Sequence, residues 1–162
     1  MTKSDNSNFR TVRGYQIAKQ EEGFLTSALE DYLEMIYRLC VQNESVRVGK
    51  LSELLNVRPS SVSKMIFKLV ELKFVKYNRY DIIQLTDSGR KTGEYLLKRH
   101  DTVEKFLTLI GSTTPLEETE LIEHALSLST VSNLTVLLEF FQSDTVANDS
   151  YENYKKNKMT TQ

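Results

Sequence analysis

"VRPSSVSKMIFKLVEL", residues 57–72, is the stretch whose reading decides the fold. Pro59 suits a first helical turn, where its missing N–H costs nothing, and Val62, Met65, Ile66 and Leu69 recur at i, i+3, i+4 and i+7, the spacing of one helix face. With that face turned to a core, the opposite face carries Ser60, Ser61, Ser63, Lys64 and Lys68, and Arg58 stands just ahead. Short hydroxyls at a helix start allow close approach to a nucleic acid, where free backbone N–H groups and lysines meet phosphate.

The flanking sequence sets this helix in a recognisable order. Upstream, "GKLSELLN" (49–56) reads as a brief helix and "NESVRV" (43–48) as a turn with a short extended piece. Further back, "SALEDYLEMIYRLCVQ" (27–42) opens with a capping box, Ser27 to Glu30, and places Leu29, Leu33, Ile36, Tyr37 and Cys40 at helical spacing. Downstream, "FVKYNRYDIIQLT" (74–86) is rich in β-branched and aromatic residues around a polar centre and predicts a hairpin, although its turn lacks Asn-Gly. Helix, short strand, helix, turn, helix and hairpin is the order of a winged helix-turn-helix, whose second motif helix enters the DNA major groove. Lys76 and Arg79 of the hairpin, and Arg10 and Arg13 of the N-terminal arm, are further candidates for phosphate contact.

Beyond the hairpin, Thr86 caps a long helix, "DSGRKTGEYLLKRHDTVEKFLTLIG", that ends at Gly111. "LEETELIEHALS" (116–127) and "TVSNLTVLLEFFQ" (130–142) predict two shorter helices. The organisation is therefore mainly α: a polar arm (1–24), a winged helix-turn-helix (25–86), a helical metal-binding and dimerisation half (87–143) and a polar, frayed tail (144–162).

Charge divides along the same lines. Residues 46–100 hold 12 Lys/Arg against 5 Asp/Glu, and residues 101–162 hold 4 against 10. A basic middle and an acidic end fit different partners, although solvated helix faces produce the same counts. No long uncharged apolar run and no apolar leader are present, so a cytoplasmic protein is expected. The single cysteine, Cys40, excludes an internal disulfide and reads as a core residue.

The chain has only two histidines, and both sit among carboxylates. Glu120, Glu123 and His124 lie three and four residues apart, on one face if the segment is helical; Asp31 and Glu34 repeat the i, i+3 relation on the first helix, and His100 lies well inside the long one. Crowded carboxylates call for protons or a cation, and oxygen with imidazole but no thiolate suits Mn, Fe, Co or Zn in a non-thiolate site. Taken singly, each of these residues also fits a solvated helix face or a structural histidine. Glu120 is followed at i+3 by Glu123 with His124 one later, which departs from the Glu-x-x-His spacing of di-metal carboxylate enzymes.

"LTSALEDYLEMIYRL", "VRPSSVSKMIFKLVEL", "LTDSGRKTGEYLLKRHDTVEKFLTLIG" and "IEHALS" together resemble the diphtheria-toxin-repressor family of metal-dependent transcriptional regulators, in its manganese-transport-regulator branch, over about residues 25–142. The resemblance implies a homodimeric repressor, not an enzyme, that binds a palindromic double-stranded operator when loaded with Mn(II), two ions per subunit. It implies metal ligands at Asp31, Glu34, His100, Glu120, Glu123 and His124. The iron-responsive branch typically carries methionine in place of Asp31 and cysteine in place of Glu120, so these two residues favour manganese. The chain length implies no SH3-like third domain. Two departures stand out: Asp81 occupies the wing position that is often glycine, and the polar arm has no counterpart in the shortest members. Response to another divalent metal or to a small organic ligand are the alternatives within the same architecture.

Overall fold

The computed structural model describes residues 25–78 and 80–159. The N-terminal arm with Arg10 and Arg13, the wing residue Arg79, and residues 160–162 lie outside the described residues. Two compact units divide the chain at Gly93/Glu94.

The N-terminal unit follows the winged helix-turn-helix order. Helix α1 (Ser27–Asn43) leads through strand β1 (Val46–Arg47) to α2 (Val48–Leu54) and α3 (Pro59–Glu71), followed by β2 (Val75–Tyr77) and β3 (Ile82–Leu85). The three strands form one antiparallel sheet in the order β1-β3-β2, with Val46 opposite Ile83 and Val75 opposite Leu85. Leu33 and Ile36 of α1, Leu51 of α2, Val62, Ile66 and Leu69 of α3, and Ile83 of β3 are all fully buried. Each contributes on the order of 1.5–3 kcal/mol of apolar transfer energy, which is why the helical stripe of α3 fixes its orientation. Cys40 is part of this core, and burial pushes its thiol up from the ordinary range, so it stays protonated and inert.

Local details differ from the sequence reading at the start of α1 and at the wing. The N-cap of α1 is Thr26, whose side chain accepts from the Leu29 N–H, rather than Ser27 of the expected capping box. The wing turn closes without glycine. Asp81 itself adopts the left-handed region at φ 58°, which a short Asp side chain tolerates. The Asn78 side-chain oxygen accepts from the N–H groups of Tyr80 and Ile82, and Tyr77 Oη donates to Asp81 Oδ1 at 2.7 Å.

Helix α4 (Asp87–Ile110) begins in the N-terminal unit. Thr86 Oγ1 accepts from the Gly89 N–H at 3.0 Å, as a cap should, and also donates to the carbonyls of Lys73 and Phe74. Gly93 packs directly on Tyr37 of α1, which is why the first turns of α4 lie with this unit.

In the C-terminal unit α4 ends at Gly111, which takes φ 92°. Helix α5 (Pro115–Ile122) tightens into a 3-10 turn (Glu123–Ala125), and α6 (Leu128–Ser143) and α7 (Thr145–Met159) follow. The frayed tail expected from residue 144 is instead the fifteen-residue α7. It is held by long-range contacts that no local pattern encodes: Lys155 Nζ donates to the Leu109 carbonyl at 3.0 Å near the end of α4, and Tyr151 packs on Phe141 of α6. A cation on the last carbonyls of a helix also complements its dipole.

Gly89 gives the sharpest test of how α4 is seated. A Cβ at this position would lie 1.8 Å from the Phe74 carbonyl oxygen, a backbone atom that cannot swing aside. Gly89→Ala is expected to destabilise the protein by about 2 kcal/mol or more despite its better helix propensity. Chemical denaturation compared with wild type measures this, and a change within about 0.5 kcal/mol contradicts the packing.

Candidate metal centre and DNA-binding face

Helix α3 presents the expected polar face. Arg58 precedes it, Pro59 occupies its first turn, and Ser60, Ser61, Lys64 and Lys68 are exposed. Ser63 is half-buried and donates to the Pro59 carbonyl at 3.1 Å, so its hydroxyl is engaged with its own helix. Lys76 is exposed on β2. The sequence reading passed over Phe67, which is 56% exposed beside Lys64 and Lys68 and meets Tyr77 of the wing edge-to-face at 5.6 Å. Its signal was available: position 67 falls off the Val62–Ile66–Leu69 stripe, where a large aromatic is out of place on a solvated face.

The expected ligands of the N-terminal unit lie on α1. Asp31 is exposed, whereas Glu34 is buried, and its Oε1 accepts from both Nε and Nη2 of Arg38 at 2.9 and 2.6 Å.

In the C-terminal unit His100, Glu120, Glu123 and His124 form a connected group. His100 is buried on α4, with Nδ1 3.2 Å from Glu123 Oε1 and 3.7 Å from Glu120 Oε1. Its Nε2 faces Glu104 Oε2 at 3.9 Å, one turn further along α4. Glu123 is 1% exposed. The expectation of one α-helical face for Glu120, Glu123 and His124 needs correction, because α5 ends at Ile122 and Glu123 and His124 lie in the 3-10 turn. The tighter winding still leaves Glu120 and Glu123 on the same imidazole.

Two participants escaped the sequence reading. Glu104 stands at i+4 from His100, a spacing visible in "HDTVE" but not taken up. Arg99 reads as one more cation of the basic half, yet it is 3% exposed, with Nε donating to Glu123 Oε2 at 3.3 Å and Nη2 lying 3.1 Å from His124 Nδ1.

The donor chemistry fits a divalent cation. Three carboxylates and two imidazoles, with no thiolate, match hard to borderline ions, and His100 already draws Glu120 and Glu123 toward one nitrogen. Burial alone would raise the Glu123 carboxyl, but the hydrogen bond from His100 and the charges of Arg99, His100 and His124 outweigh it and hold the group below its ordinary value of 4.5. A carboxyl whose folded pKa is depressed binds fewer protons in the native than in the unfolded state. Its stabilisation is therefore complete above about 4.5 and is lost as pH falls through the lower folded value. In metal-free protein kept in chelator, Glu123→Gln should lie below wild type by about 1–3 kcal/mol at pH 7, and the gap should narrow as pH falls below 4.5. Thermal melts across that range check this, and two parallel curves would count against the ionised buried pair.

Comparison with known proteins agrees with both halves of this picture. The family model described as iron dependent repressor, N-terminal DNA binding domain, matches residues 24–82, and the one described as iron dependent repressor, metal binding and dimerisation domain, matches residues 86–150. The HTH-type transcriptional regulator MntR of Geobacillus kaustophilus (strain HTA426) is 40% identical over 121 residues, covering 74% of this chain and 86% of that protein. The MntR of Geobacillus thermodenitrificans (strain NG80-2) is 37% identical over 133 residues, covering 81% and 94%. Among solved structures, that of the manganese regulator SloR superposes with a TM-score of 0.61 at 30% identity, covering 69% of this chain; the chain spans about half, 54%, of that structure. A DNA-reading helix and wing in the first unit, followed by carboxylates gathered on a buried histidine in the second, occur here in the order of the two matched domains, and the chain belongs to the iron dependent repressor family of transcriptional regulators.

Proposed function

We propose that the protein is a homodimeric repressor of metal-uptake genes, activated for operator binding by Mn(II) and acting in the cytoplasm. The observation that carries this reading is the oxygen-and-imidazole group around His100, with Glu123 at 3.2 Å and Glu120 at 3.7 Å, in a chain of a repressor family. Neither residue is a soft ligand, and the relatives named above include a manganese regulator. Family membership sets aside the di-metal enzyme.

In this reading Asp31 and Glu34 join His100, Glu120, Glu123 and His124 to hold two Mn(II) ions per subunit. Bound metal supplies positive charge to a group of carboxylates that otherwise repel, and it favours the DNA-competent arrangement only by binding that arrangement more tightly. Ligation also requires neutral imidazole with a lone pair free for the ion, so the ligand histidines bind in their uncharged form. Dimerisation draws on the apolar residues that the C-terminal unit leaves exposed, among them Leu121, Leu128, Val136 and Phe140. Two recognition helices then meet palindromic half-sites roughly 34 Å apart, one turn of DNA. Arg58, Pro59, Ser60, Ser61, Ser63, Lys64 and Lys68, with Lys76 and Arg79 of the wing, form the DNA-facing set.

Operator DNA selected from a random pool in the presence of Mn(II) serves as the probe. Binding measured in parallel against Mn(II), Fe(II), Co(II) and Zn(II) should respond most strongly to manganese. Glu120→Ala and His124→Ala should each abolish the manganese response while circular dichroism stays as in wild type; an unaltered manganese titration in either variant refutes the ligand assignment.

Lys64→Ala and Lys68→Ala probe the DNA face separately. Each should weaken operator binding and reduce the slope of log affinity against log salt by about one per lost phosphate contact. An unchanged slope removes that lysine from the phosphate-contacting set.

A further inference from the structure

The buried arginine beside the ligands is not a bystander. Arg99 Nη2 lies 3.1 Å from His124 Nδ1, and its Nε donates to Glu123 Oε2 at 3.3 Å. A guanidinium has five donors, no acceptor and no accessible neutral form, so His124 Nδ1 must accept and the ring proton must sit on Nε2. A neutral imidazole has one in-plane lone pair, and here Arg99 takes it. His124 therefore cannot bind a metal through either nitrogen while the Arg99 bond persists. Glu123 differs: Oε2 is the oxygen on Arg99, whereas Oε1 faces His100, so a cation on Oε1 leaves the Arg99 contact intact.

We infer that Arg99 is a resident counter-ion of the metal centre: it holds His124 and Glu123 in the metal-free protein, and an arriving divalent cation displaces it from His124 while its bond to Glu123 continues to orient that ligand. This rests on the reading of His124 and Glu123 as ligands. The N-terminal unit repeats the device, since Arg38 grips Oε1 of Glu34 with two donors. In each unit a buried carboxylate expected to bind metal is already neutralised by an arginine of the same unit. A positioned hydrogen-bonding partner of this kind keeps ligands from collapsing or repelling when no metal is present. It also lowers metal affinity, because each binding event must break a charge-assisted bond and bring a dication close to a fixed positive charge. Arg99 thereby sets the metal concentration at which the repressor responds. It is a positioning residue and a competitor, not a ligand.

The test compares full-length wild type with Arg99→Met, which keeps a long side chain and removes the charge. Calorimetric titration with Mn(II) should show at least about tenfold tighter binding in the variant, the loss of one buried charge-assisted hydrogen bond to break. A purely structural arginine gives the opposite sign, because its removal disorders the site. Affinity equal to or weaker than wild type, in a variant that circular dichroism shows folded in chelator, overturns the inference. If the variant does not fold without metal, the wild type decides. With only two histidines in the chain, ring nitrogen NMR at pH 8, assigned with His124→Ala, identifies the tautomer directly. His124 protonated on Nε2 in chelator, with its unprotonated Nδ1 signal moving to a metal-bound position on addition of diamagnetic Cd(II), supports the displacement. His124 protonated on Nδ1 overturns it. Wild type that binds no Mn(II) at all ends the proposed function instead, which separates the two failures.

Discussion

Glu123 is a carboxylate with 1% of its surface exposed, and its two oxygens are divided between His100 and Arg99. An isolated ion at that depth would cost several kcal/mol and would take up a proton instead. Here the compensation comes from α4, which sends both partners from consecutive positions, while the carboxylate arrives from the turn after α5. The ion pair is thus the physical link between two elements more than twenty residues apart in sequence. It also explains why the C-terminal unit holds a charge cluster where a domain of this size would ordinarily bury leucine.

The shape of the α5 terminus follows from the same constraint. The last turn closes as a 3-10 helix, with the Leu126 N–H on the Glu123 carbonyl, and from it Glu123 and His124 both reach the Arg99 guanidinium. Leu126 then leaves in extended conformation and Ser127 caps α6 by accepting from the Thr130 N–H. Glu123 and His124 thus sit on a helix end followed at once by a capped helix, while Glu120 and Glu123 stand 3.7 and 3.2 Å from the same nitrogen of His100.

What the sequence made legible was periodicity and residue type. Leu29, Leu33, Ile36 and Cys40 repeat at helical spacing and are all buried in α1; Val62, Ile66 and Leu69 do the same in α3, because apolar transfer energy acts on every turn. The hairpin was legible from β-branched and aromatic residues around a polar centre, and its strands pair as Val75–Leu85 and Tyr77–Ile83. What escaped depends on partners distant in sequence. Helix α7 is polar and weakly amphipathic, and its anchors are Lys155 on the Leu109 carbonyl and Tyr151 on Phe141. Arg99 looks like its neighbour Lys98, yet one is exposed and the other buried against a carboxylate, and only the three-dimensional course of α5 distinguishes them. The residue types of the site were readable, but its pairings were not.

The wing shows how one residue type substitutes for another without loss of the turn. Glycine serves such positions by reaching positive φ without a Cβ penalty, at the cost of a floppy unfolded chain. Asp81 reaches φ 58° and makes use of its side chain, accepting from Tyr77 Oη, while its carbonyl receives the Val48 N–H that opens α2. Tyr77 in turn packs on Phe67 of the recognition helix. The wing tip is therefore coupled through Asp81, Tyr77 and Phe67 to the helix that carries Lys64 and Lys68. A glycine would supply the same backbone angle but would leave the tyrosine without its acceptor, so the departure at residue 81 gives a wing more firmly tied to the DNA-reading face.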